Sequence, residues 1–115
     1  MTTTITQPVV ELPVADVEEA QSYYAQTLGF EIAWTYPNKS IGGVNRGEAV
    51  IFHRRTSGEI SPVTLWCFVE DLDAVHDDLK RLGANVVEEI ETKPWNIRQF
   101  TIEDSSGHRL IFHHG

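Results

Sequence analysis

The chain has 115 residues, of which 41% are hydrophobic and 23% charged, and its net charge is −8. That length gives one compact domain or two small repeats sharing a core. The acidic balance argues against a nucleic-acid partner, and no apolar run approaches the ~18 residues that span a bilayer.

The first stretch, Met1 to Gln7, is polar and Thr-rich, with neither the basic start nor the apolar core of a signal peptide. Cys67 is the sole cysteine, so no internal disulfide or cysteine metal cluster is expected. These features lead us to expect a cytoplasmic protein. Val9 to Val14 then reads as a strand. Asp16 stands as a helix N-cap with Glu19 three residues on, a capping-box spacing. Val17, Ala20, Tyr24 and Leu28 share one helical face, and Gly29 stops the helix. Phe30 to Thr35 is a second strand, followed by a turn at Pro37-Asn38. Ile41 to Asn45, bent at Gly42-Gly43, and Ala49 to Arg54 are the third and fourth strands. Thr56 to Glu59 is a linker.

The second half repeats this order. Val63 to Val69 is a strand. Asp71 caps a helix with the apolar stripe Leu72, Val75, Leu79 and Leu82, ended by Gly83. Asn85 to Ile90 is a strand and Lys93-Pro94-Trp95-Asn96 a loop. Ile97 to Glu103 and Arg109 to His113 are strands joined by a tight turn at Asp104 to Gly107. The segments opened by Val14-Ala15-Asp16 and Val69-Glu70-Asp71 lie about 55 residues apart, roughly half the chain. The expected fold is α+β: two βαβββ modules, about 8–55 and about 61–114, each curling a mixed sheet around a cleft. Together they would make one domain over residues 1–115.

Strand alternation divides the side chains between faces. Val10, Leu12, Val14, Leu65, Cys67, Val69, Leu110 and Phe112 are expected to meet the helices. Val9, Glu11, Pro13, Thr64, Trp66, Phe68, Ile111 and His113 are expected on the cleft side. Trp34 and Tyr36, where a strand enters a turn, and Trp95 in its loop add aromatic surface. Rings lining a concavity suit a flat or cationic small molecule, which Glu11 and the negative surface would favour. The alternatives are that the rings fill the core and that the charge serves solubility.

Three segments carry a family resemblance: LPVADVEEAQSYYAQTLGFEI, LWCFVEDLDAVHDDLKRLGANV and KPWNIRQFTIEDSSGHRLIF. The chain resembles the vicinal-oxygen-chelate superfamily of glyoxalase I, extradiol dioxygenases and bleomycin-resistance proteins. The Pro-Trp loop, the Arg-x-Phe strand and the Asp-x-x-Gly turn are closest to the bleomycin-resistance branch. The resemblance implies a homodimer that exchanges strands and forms two equivalent clefts. It implies stacking roles for Trp34, Trp66 and Trp95. The metal-ligand positions of the superfamily's enzymes fall on Val9, Thr64 and Ile111, none a usual ligand, so no metal and no cofactor is expected. Asn96 stands where the branch usually has Gly.

Other groups are weaker candidates. His76 and His108 are expected in solvent, as are the pairs Glu18-Glu19 and Asp77-Asp78. Cys67 is expected to be inert packing, and the serines show no nucleophile motif. His53 is a minor candidate for the cleft. The resulting expectation is a non-catalytic, metal-independent binding protein of antibiotic-sequestering type. Its ligand site would comprise Trp34, Tyr36, Trp66, Phe68, Trp95 and Glu11. The alternative is a lyase, isomerase or dioxygenase-like enzyme with a relocated acid–base or metal site drawn from Glu11, His53, Glu103 or His113.

Overall fold

Asp16 and Asp71 start the two helices as their spacing predicts. The Asp16 carboxylate accepts a hydrogen bond from the Glu19 amide (3.1 Å), and Asp71 accepts one from the Ala74 amide (3.0 Å). Gly83 ends the second helix in the left-handed conformation (φ 92°). The structure, a computed structural model, describes residues 2–114. Its elements are β1 (Val10–Val14), α1 (Val17–Thr27), β2 (Glu31–Thr35), β3 (Ile41–Arg46) and β4 (Ala49–Arg55), then β5 (Thr64–Phe68), α2 (Leu72–Leu82), β6 (Asn85–Thr92), β7 (Arg98–Glu103) and β8 (Arg109–His114).

The strands form two four-stranded sheets in the orders β1-β4-β3-β2 and β5-β8-β7-β6. In each sheet the first strand of the module lies parallel to its last, and the remaining pairs are antiparallel. This is the expected α+β arrangement of two βαβββ units. The core cluster draws on both, from Leu12, Tyr24 and Ile51 to Leu79, Phe100 and Phe112. Val10, Leu65, Cys67 and Val69 pack against it, as alternation requires. Burial pushes the Cys67 thiol up to about 11, which suits inert packing.

Buried polar groups tie the two halves together. The His108 ring bridges them. Its Nε2 lies 2.7 Å from the Pro13 carbonyl, while its Nδ1 accepts from the Val63 amide (2.9 Å). That pairing fixes a neutral ring with the proton on Nε2. The Tyr24 hydroxyl donates to Asp104 Oδ2 (2.6 Å), and Asp104 Oδ1 accepts from the amides of Ser106 and His108. Burial, reinforced by Asp104, raises the Tyr24 phenol far above its ordinary value.

His108 is wholly buried rather than in solvent. His76 packs edge-on against Phe100 at 4.9 Å, because it lies four residues after Leu72 and three before Leu79, within the buried stripe. Asp78 is not free surface charge. It takes Arg46 of β3 (3.0 Å) and Arg81 as partners.

His53 is fully buried on the helix-facing side of β4, edge-on to Tyr24 at 4.6 Å, and among the described residues neither ring nitrogen has a hydrogen-bond partner. It is therefore no part of the cleft. Burial lowers its pKa from 6.5 to about 4. The unfolded chain binds the proton more readily than the native one in that window, so stability is full above pH 6.5 and falls as the pH drops towards about 4. Thermal or urea unfolding should show this part of the loss as about 2 kcal/mol between about pH 7 and about pH 5. His53→Leu should abolish it; an unchanged pH slope in that variant would contradict the assignment.

Candidate functional site

The first sheet presents one ordered row on its open face. Glu11 pairs with Phe52, Phe52 with Gly43, and Gly43 with Trp34. Gly43 is required there, because a Cβ would lie 2.5 Å from Trp34 Nε1. The indole can thus cross the strand and meet Phe52 edge-on at 5.1 Å. Trp34 sits at a register shift in β2. Gln21, buried on α1, reaches the backbone there. Its Nε2 donates to the carbonyls of Trp34 (2.8 Å) and Gly43 (3.3 Å), and its Oε1 accepts from Thr35 (2.8 Å). Gln21 thereby holds the Trp34 backbone, a role that the sequence reading missed.

Glu11 is on this face as expected, but it is not a bare carboxylate. Arg54 Nε donates to it at 2.7 Å, and this guanidinium holds the Glu11 carboxyl below the usual carboxylate range. Both groups are about half exposed, so the pair contributes little to stability. A ligand approaching Glu11 meets a charge pair rather than a lone anion. Tyr36 opens the turn after β2, its amide donating to Ile41 (2.9 Å), and its ring stands largely in solvent.

The second sheet gathers more of the expected residues. Parallel register sets Trp66 beside Ile111 and Phe68 beside His113, and antiparallel register sets Gln99 beside His113. His113 meets both Trp66 and Phe68 edge-on, at 5.6 and 5.8 Å. His114 stacks on Phe68 at 5.6 Å. Trp95 joins the same neighbourhood, its Nε1 donating to Gln99 Oε1 (3.2 Å). Trp66, Phe68 and Trp95 remain 50%, 61% and 56% exposed, so core packing does not account for them. Among the described residues no ring contact joins this group to Trp34 and Phe52. A concavity of about 560 Å³ does reach from one sheet to the other, lined by Val9 and Val50 on one side and Trp66 and Phe68 on the other.

Asn96 has a positive φ of 64°. That explains why the resembling branch favours Gly there, and Asn is one of the few other residues that tolerates the conformation.

The metal site of the superfamily's enzymes does not fit this chain. Val9 and Ile111 carry no donor atom, and Thr64 offers only a neutral hydroxyl. Among the described residues no three His, Cys, Asp or Glu side chains are placed to hold an ion together. Of the acid–base candidates, Glu11 lies on the first sheet, His53 in the core and His113 on the second sheet. Glu103 faces Arg109 at 3.8 Å. They do not converge. Among the described residues, no helix is long and apolar enough to cross a membrane.

Comparison with known proteins places these features. The family model described as the glyoxalase/bleomycin resistance protein/dioxygenase superfamily matches residues 6–112. No curated protein matches the chain. Among solved structures it is similar to a bleomycin-binding protein from bleomycin-producing Streptomyces verticillus, complexed with copper(II)-bleomycin. That match has a TM-score of 0.86 and 24% identity, covering 99% of each chain. A bleomycin resistance determinant encoded on the transposon Tn5 gives 0.85 and 18%, covering 96% of this chain and 98% of that one. A lactoylglutathione lyase from Agrobacterium tumefaciens gives 0.77 and 14%, covering 99% and 96%. At these identities the likeness is one of fold, and the fold serves both binders and a lyase.

Proposed function

The chain belongs to the glyoxalase/bleomycin resistance protein/dioxygenase superfamily, and from that premise we propose that it is a binding protein that sequesters a planar, antibiotic-type small molecule without chemistry and without a metal of its own. The observation that carries this reading is the open face of the second sheet, where Trp66, Phe68 and Trp95 stand half-exposed around His113. Such rings offer flat apolar area at low entropic cost, which is what sequestration of a planar ligand requires. The fold likeness to a bleomycin-binding protein and to a bleomycin resistance determinant supports the ligand class.

In this reading Trp34, Trp66 and Trp95 stack on the ligand, with Phe68 beside them, and Glu11 and Tyr36 supply polar contacts. Pairing of Glu11 with Arg54 favours a ligand that offers both a donor and an acceptor edge over a simple cation. The protein works as a cytoplasmic homodimer that exchanges strands. The first sheet of one copy then closes over the second sheet of the other, bringing Trp34 and Trp66 to the same ligand in each of two clefts.

The test is a tryptophan-fluorescence titration of metal-stripped protein with metal-free bleomycin. Saturable quenching at one drug per chain is the expected result. No change up to high micromolar drug would remove this ligand class.

A further inference from the structure

We propose that His113 is the specificity-determining polar contact of the second-sheet face, and that it selects planar heteroaromatic groups carrying a hydrogen-bonding edge. The inference deepens the binding reading and rests on it.

Several polar side chains near Trp66 and Phe68 already have partners within the protein. Gln99 accepts from Trp95, Thr101 donates to Glu88 (3.3 Å), and His114 holds the Val69 carbonyl through Nδ1 (3.1 Å). His113 is different. Among the described residues its ring makes no hydrogen bond, and its Nδ1 is cut off from solvent. The half-buried ring is held edge-on by Trp66 and Phe68, so it has little freedom to turn Nδ1 outwards. Nε2 is the nitrogen left to meet a ligand. Because nothing fixes the tautomer from the Nδ1 side, Nε2 can present either a proton or a lone pair. A flat ring laid on Trp66 and Phe68 would bring its edge to that nitrogen. A ligand without a polar edge would leave Nε2 desolvated and unpaired, and that penalty is the source of selectivity.

The experiment uses two probes that differ by one ring atom, quinoline and naphthalene. Their binding to the full chain is followed by NMR at the Trp66 indole and the His113 imidazole nitrogens. The wild type should bind the quinoline about five- to tenfold more tightly than the apolar difference between the probes predicts. His113→Phe keeps the ring and should erase that preference, while His113→Gln should retain part of it. The imidazole nitrogen shifts should move with the quinoline and not with the naphthalene. Equal affinities in the wild type, a preference that survives in His113→Phe, or no response at Trp66 and His113 to either probe would each overturn the proposal. Fragment discrimination without bleomycin binding would overturn the antibiotic reading and leave the role of His113 standing.

Discussion

His108→Leu is expected to lower the unfolding free energy by about 4 kcal/mol, measured by urea denaturation at neutral pH. Leucine fills a similar volume, so the loss is not that of a cavity. It comes from the Pro13 carbonyl and the Val63 amide, which the imidazole pairs simultaneously and which leucine would leave part-buried and unpaired. Those two backbone groups belong to different halves of the chain. The variant should therefore also broaden the transition, as the halves come apart less cooperatively. His108→Gln can satisfy one of the two groups and should lose about half as much. A loss below about 1 kcal/mol for leucine would mean that the bridge contributes little to holding the halves together.

Trp66→Ala is expected to weaken metal-free bleomycin binding about 100-fold, equivalent to about 2.7 kcal/mol. Its effect on stability should stay below about 1 kcal/mol, because half of the ring is already exposed and few core contacts are lost. The contrast between the two readouts is the point. A core aromatic would behave in reverse, costing about 3–5 kcal/mol of stability when truncated. Unchanged affinity in a folded Trp66→Ala protein would move the site off the second sheet.

Much of the architecture was legible in the sequence because it is written locally. The capping aspartates, the helical stripes and the alternation of β5 each depend on residues within a few positions. The duplicated pattern then fixed the element order. Orientation followed too, placing Trp66, Phe68 and His113 on one face opposite Leu65, Cys67 and Phe112. Long-range pairing was not legible. His108 takes a carbonyl 95 residues away and Tyr24 a carboxylate 80 residues away, and nothing near either residue announces the partner. The same limit hid Arg54 behind Glu11 and Gln21 beneath the register shift at Trp34. His76 is hidden for another reason. Counting only apolar residues makes the α2 stripe too narrow, so an imidazole on the buried side looks like surface.

In the proposed assembly one cleft is built from the aromatic faces of both sheets. NMR of the indole Nε1–H signals of the three tryptophans, followed while metal-free bleomycin is added, tests that arrangement. The signals of Trp34, Trp66 and Trp95 should all shift and reach saturation together at one drug per chain. Saturation with Trp34 unmoved would confine the site to the second sheet, and three static signals in the presence of bound drug would rule out an aromatic cleft altogether.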